Sequence, residues 1–144
     1  MTNQRQQAHA LINRLLYVSD AIGAAGENLL SMADILGASD RNNRRDHVSG
    51  LLAFHNRRFL QVIEGNRTDL DRLMRRLRDD SRHTNIRVLM DQPAAERIFH
   101  WPMARAPLTP ALKTLIAEAA SPAEHGPSAI ERLREAARAL PQAA

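Results

Sequence analysis

Two polar side chains interrupt otherwise apolar extended runs: Tyr17 within LINRLLYVS and Gln61 within RFLQVIEG. Tyr17 is the chain's only tyrosine. A buried phenol needs a partner for its hydroxyl, and a buried primary amide that leaves a group unpaired loses about 1–3 kcal/mol. Taken singly, each is most simply a core residue, the amide bonding to a neighbouring backbone. Taken together on central strands, a phenol and an amide could instead form a donor–acceptor pair with something bound against the helix-facing side of the sheet. Asn42 and Asn43 follow a predicted helix, where Asn terminates helices or supports turns, and Asn43 could instead present its amide to a hydrogen-bonding ligand. Asp80, Arg82 and His83 close a later helix, where Arg and His also answer the C-terminal dipole. Trp101 and Met103 read as core or edge residues, Met being adaptable packing beside an aromatic system.

Other chemistries are excluded by what the sequence lacks. There is no cysteine, so disulfides, thiolate metal sites and a cysteinyl photoadduct are ruled out. The six histidines have no metal-ligand spacing, and no metal site is expected. Neither a GxGxxG nor a GxxxxGK[ST] phosphate loop occurs, and there is no GxSxG elbow.

The 144 residues suit one domain with a genuine core. Apolar residues are 44% and charged residues 25% of the chain, the composition of a soluble globular protein. No apolar run reaches the ~20 residues needed to cross a bilayer, and MTNQRQQAHA has no apolar signal segment. The cytoplasm is the expected compartment. Net charge is +4 and the pI about 10.8, with nineteen Arg against one Lys. Asp69 to Asp80 interleaves four Arg with four Asp, which predicts a solvated, salt-bridged helix face rather than a nucleic-acid surface.

The elements that must position these residues follow from periodicity. Leu11 to Ser19 reads as a strand, with Leu15, Tyr17 and Ser19 on one face and Leu16 and Val18 on the other. A helix follows over roughly 28–38, then a polar loop over 39–46. VSGLLAFH and RFLQVIEG, separated by Asn56 and Arg57, predict a β-hairpin. Leu70, Leu73, Met74 and Leu77 mark a helix with Thr68 as its cap and Asp71 three residues on. Strands are predicted at Ile86–Met90 and, shorter, at Phe99–Met103. The order βαββαβ is a ferredoxin-like α+β arrangement with two helices on one face. Two C-terminal helices follow. Thr109 and Pro110 start the first, and Ser128 with Glu131 predicts a capping box for the second. The expected division is a flexible N-terminus at 1–10, a sensor domain at 11–105 and a helical extension at 106–144.

In combination, the motifs resemble the BLUF family, sensors of blue light using flavin. The resemblance runs from about Leu15 to Met103. It is carried by LLYVS, RNN followed by SGLLAF, FLQVIEG, DDSRHTN and the closing WPM. It implies a flavin, usually FAD with FMN or riboflavin as alternatives, held between the two helices of the sheet. It further implies that Tyr17 donates an electron and a proton and that Gln61 bridges Tyr17 to the ring. Asn43, with Asn42 beside it, would bond the carbonyl side. Arg82 and His83 would reach the pyrimidine or ribityl side with support from Asp80, Ser19 would lie in the pocket, and Ile35 and Leu77 would pack on the ring. Trp101 and Met103 would form a signalling segment on the last strand.

One spacing departs from the family. The usual Arg–x–Phe–x–x–Trp run is a residue short here, from Arg97 through Phe99 to Trp101, unless Ile98 takes the Phe place. The resemblance implies a photosensor without an enzymatic output domain of its own, a homo-oligomer and an unidentified downstream protein partner. A nucleic-acid-binding or interaction module without chromophore is the alternative, drawing on Arg41, Arg44 and Arg45. An acylphosphatase-like enzyme of the same topology is a more distant one.

Overall fold

Asn56 and Arg57 sit alone between two extended runs, and both adopt positive φ, 49° and 62°. That pair of left-handed residues makes the tight turn whose twist matches a β-hairpin. It joins β2 (Ser49–His55) to β3 (Arg58–Gly65), with His55 opposite Arg58. The computed structural model describes residues 12–23, 41, 47–118 and 126–141. The N-terminus at 1–10, the helix expected near 28–38, Ile35, Asn42 and Asn43 lie outside the described residues.

Strand β1 (Ile12–Ala21) pairs antiparallel with β3 on one side and with β4 (His83–Ala94) on the other. A two-residue strand, β5 (Ala104–Arg105), pairs parallel with β2. The sheet order is β4-β1-β3-β2-β5. Its first four strands have the order of the expected βαββαβ fold, and β5 adds an edge. Gly50 lets β2 lie close to β3, because a Cβ there would come 2.0 Å from the Val62 carbonyl oxygen.

Helix α1 (Arg67–Asp79) buries Leu70, Leu73 and Met74, three of the four predicted apolar positions, and Leu77 is partly buried. With Leu15, Tyr17, Leu52, Phe59, Ile63 and Met103 they form the core on one face of the sheet. Helices α2 (Pro110–Glu118) and α3 (Gly126–Ala137) cover the other face. There Leu112, Leu115, Ile116, Ala129 and Leu133 pack on Leu16, Val18, Leu51, Leu60 and Val62. Alternation along β1 and β3 therefore feeds two separate cores from one sheet.

Four local expectations are corrected. Asn66, not Thr68, caps α1, its side chain accepting from the Asp69 amide at 2.9 Å; either residue type can cap, and the chain turns two residues earlier. The strand expected at Ile86–Met90 runs instead from His83 to Ala94, its register against β1 shifting twice, with Asn85 at positive φ (55°). Phe99–Met103 is not a strand; pairing begins only at Ala104. Ser128 lies inside α3, which begins at Gly126, so the Ser128–Glu131 pair caps nothing. Thr109 does cap α2, accepting from the Leu112 amide at 3.1 Å.

Candidate functional site

Tyr17 and Gln61 are directly opposite one another in the β1–β3 ladder. Both side chains point to the α1 face and are buried, at 2% and 4% exposure. The Tyr17 hydroxyl donates to Gln61 Oε1. Gln61 Nε2 donates to Met103 Sδ at 3.4 Å. A thioether is a weak acceptor, so the donor side of this buried amide is held less firmly than its carbonyl side. Burial pushes the Tyr17 phenol well above its ordinary range, and the nearby Asp80 carboxylate adds to the effect. Tyr17 is therefore a neutral phenol at all ordinary pH values, with its proton aimed at the amide oxygen.

Ser19, two residues along β1, is fully buried and lies 2.8 Å from His83 Nδ1. The other ring nitrogen, Nε2, meets the Leu77 carbonyl at the end of α1. A carbonyl can only accept, so Nε2 carries the proton; in the neutral ring Nδ1 then accepts from the Ser19 hydroxyl. His83 thus closes the helix C-terminus, as its position suggested, and also joins the site. Its ring centroid lies 6.3 Å from Tyr17 and 6.2 Å, edge-on, from Phe59.

Asp80 accepts from Arg82 through both carboxylate oxygens, at 2.6–3.1 Å, and from the Arg82 amide at 2.9 Å. The Arg82 hydrogen bonds hold the Asp80 carboxyl below its usual range, against the opposing effect of partial burial. Asp80 thus holds the Arg82 side chain and amide together at the end of α1. A cleft beside α1 is lined by Tyr17, Leu52, Phe59, Gln61, Leu77, Asp80, Arg82 and His83. Six of the sequence-predicted residues therefore converge, and Ser19 stands behind His83.

Trp101 is not with them. It lies in the irregular segment before β5 and packs against the core on the α2/α3 face, its indole nitrogen donating to the Pro141 carbonyl at 2.9 Å. The expectation that Trp101 and Met103 share the last strand is corrected: both precede it, and they take opposite faces of the sheet. Sequence reasoning also passed over Glu64 as more than a motif letter. It is a carboxylate with no exposure, and its place after Leu60 and Val62 on the apolar alternation was the available signal. Among the described residues no group of three or more acidic or histidine side chains could hold a metal. No described helix is long and apolar enough to cross a membrane.

The donor set of this cleft suits a flat heteroaromatic ligand with acceptors on its edge: an amide NH₂, a guanidinium, and apolar walls from Leu52, Phe59 and Leu77. The family model for BLUF, sensors of blue-light using FAD, matches residues 12–104. The chain belongs to the BLUF family. It is 32% identical over 111 residues to the photoactivated adenylate cyclase subunit beta of Euglena longa, covering 73% of this chain and 13% of that one. The subunit alpha of Euglena gracilis is 30% identical over 122 residues, covering 81% and 12%. The chain thus spans only about an eighth of these BLUF relatives, and the cyclase activity in their names is theirs. The dark-state structure of BlrB, a BLUF protein, superposes with a TM-score of 0.73 at 27% identity, covering 87% of this chain and 93% of that one. The photo-activated state of BlsA gives the same score at 23% identity over 92% and 99%, a likeness of fold.

Proposed function

We propose that this BLUF domain is a blue-light photoreceptor in which Tyr17 is the electron and proton donor and Gln61 is the element that stores the signal. The observation that carries this reading is the buried Tyr17–Gln61–Met103 chain, in which one amide is bonded firmly on its oxygen and weakly on its nitrogen. Non-covalently bound flavin, taken to be FAD, supplies the blue absorption and the electron-accepting excited state. Gln61 and Arg82 would hold its polar edge together with Asn43 and Asn42, and Ile35 and Leu77 would pack on its ring faces. His83, kept in one orientation by Ser19 and the Leu77 carbonyl, completes the wall.

In this reading the Tyr17 phenol would give up an electron to the bound chromophore as its proton moves along the existing hydrogen bond to the Gln61 carbonyl oxygen, and both would then return to Tyr17. Over this cycle the amide would rotate or tautomerise, its nitrogen exchanging the Met103 sulfur for another partner. That weak bond makes the exchange inexpensive, and the stored state is a rewired hydrogen-bond network rather than a covalent bond. The change leaves through Met103 toward β5 and the helices that follow, and from there to a downstream protein partner or a second copy of the chain.

Absorption spectroscopy tests this directly. Purified protein supplied with FAD should be yellow and show a modest, reversible red shift in blue light. Tyr17→Phe and Gln61→Leu should each bind flavin and lose the shift. Protein that takes up no FAD, FMN or riboflavin would remove the photoreceptor reading; a normal photocycle in either variant would remove the roles given to the two residues.

A further inference from the structure

Glu64 lies three residues beyond Gln61 on β3 and so projects to the opposite face, toward α2 and α3. A carboxylate there is costly unless its oxygens are satisfied. Arg14 reaches Oε2 through Nε at 2.8 Å and through a terminal nitrogen at 2.7 Å. The other acceptor positions are used on backbone: Oε1 takes the Ile98 amide at 3.0 Å and the Phe99 amide at 2.6 Å. Arg97, the preceding residue, turns back over the same point. Its guanidinium donates to the Glu64 carbonyl at 2.9 Å, to Ser49 Oγ at 2.6 Å and to the His47 carbonyl at 2.6 Å.

These bonds fix the start of the segment that delivers Met103 to Gln61. Phe99 is buried on the α2/α3 face and Met103 on the α1 face, so the chain crosses the sheet edge within four residue steps. Four extended steps reach only about 14 Å, which leaves little slack. Downstream the segment is fastened by the Gly50 amide donating to the Trp101 carbonyl at 2.8 Å and by the pairing of Ala104 with Leu51.

We infer that Glu64 is a positioning residue: its carboxylate sets the register of residues 97–103 and thereby seats Met103 against Gln61. A neutral isostere cannot do this, because the NH₂ of a glutamine would face either Arg14 or the two backbone amides, a donor against donors. The clamp itself is independent of the bound chromophore. Its influence on the lifetime of the light-adapted state rests on the reading of Gln61 given above.

Glu64→Gln tests the clamp in the dark. Amide exchange at Ile98 and Phe99 should rise about tenfold or more, as a charge-assisted bond is lost from a local opening unit. Oxidation of Met103 by hydrogen peroxide, read by peptide mass, should accelerate several-fold, whereas Met74, buried under α1, should keep its wild-type rate. Equal acceleration of both methionines would show general destabilisation only and overturn the proposal, as would no change at Met103. Should Glu64→Gln fail to fold, Arg97→Lys keeps the buried carboxylate while losing the guanidinium fork; the same selective change at Met103, by a smaller factor, is expected, and its absence is equally decisive. In protein that binds flavin, Glu64→Gln should keep the initial red shift and speed dark recovery several-fold. Unchanged recovery with a released Met103 would sever the clamp from the switch, and protein that binds no flavin would still report on the clamp through exchange and oxidation.

Discussion

On the α2/α3 side of the sheet, Leu16, Val18, Leu51, Leu60 and Val62 pack in an apolar cluster with the helices, Leu89, Phe99 and Ala106, and the buried polar groups Glu64 and Ser49 stand at one end with charged and backbone partners. On the α1 side, the buried polar groups Tyr17, Ser19, Gln61 and His83 are spread through the middle of the sheet. Their network ends on a weak acceptor, the Met103 sulfur. The same alternation of the same strands thus builds one face whose buried carboxylate is fully paired, though Arg87 Nε opposite Val18 lacks a partner among the described residues, and one whose amide has bonding capacity to spare. A fully paired carboxylate resists rearrangement, and an amide with an under-used donor can rearrange at little cost. Stability and chemistry are in this way divided across a layer one strand thick.

The largest effect should come from the apolar face. Leu133 is fully buried between α3 and the sheet, and Leu133→Ala should lower unfolding stability by about 2–5 kcal/mol through lost transfer energy and a cavity. Denaturant titration measures this, and flavin uptake by the folded fraction should not change. A loss of flavin affinity at temperatures where the variant is folded would mean that the two faces are not independent.

Much of this division was legible from the sequence, and the parts that were not have physical causes. Alternation correctly put Leu15, Tyr17 and Ser19 opposite Leu16 and Val18, and the Asn56–Arg57 turn fixed the β2–β3 register that sets Leu52 opposite Gln61, whereas Gln61 meets Tyr17 through the long-range β1–β3 pairing. Periodicity alone could not reveal that Ser19 and His83 bond one another, since that needs the β1–β4 pairing and its shifts. Phe99–Met103 has strand-like composition but is kept out of the sheet because the Glu64 carboxylate captures the Ile98 and Phe99 amides. A single long-range side chain thereby overrode local propensity. The shortened Phe99–Trp101 spacing has its counterpart here: Phe99 is fully buried in the α2/α3 core and Trp101 packs against the same core.

The next effect is on the polar face. Gln61→Leu leaves the Tyr17 hydroxyl buried without its acceptor and should cost about 1–3 kcal/mol. Adding Tyr17→Phe removes the stranded hydroxyl, so the double variant should recover most of that loss. A double-mutant cycle by chemical denaturation reads the coupling; additive losses would mean that the pair is not the unit described.

Alkaline titration gives a related but smaller signal. The phenol of Tyr17 is raised from its ordinary value of 10.0 by burial and by Asp80. Above that value the unfolded chain loses this proton and the folded chain keeps it, so stability falls as pH rises, by up to about 1.4 kcal/mol per pH unit from this group. Because the chain has one tyrosine, tyrosinate absorbance should appear only together with unfolding. Ionisation near pH 10 in still-folded protein would place Tyr17 in contact with water.

The smallest effect is expected at Trp101, the chain's only tryptophan. Its indole bond to the Pro141 carbonyl is exposed, so Trp101→Phe, which keeps most of the packing, should cost no more than about 1 kcal/mol. Its value lies in what its fluorescence reports. Trp101 packs with the α2/α3 core while Gln61 lies in the other, so Gln61→Leu should leave the emission maximum of flavin-free protein unchanged. Release of the 97–103 segment by Glu64→Gln should shift it to the red as the ring gains water. If instead Gln61→Leu shifts the emission and Glu64→Gln does not, Trp101 senses the polar face directly, and the separation of the two faces fails at the residue where they come closest along the chain.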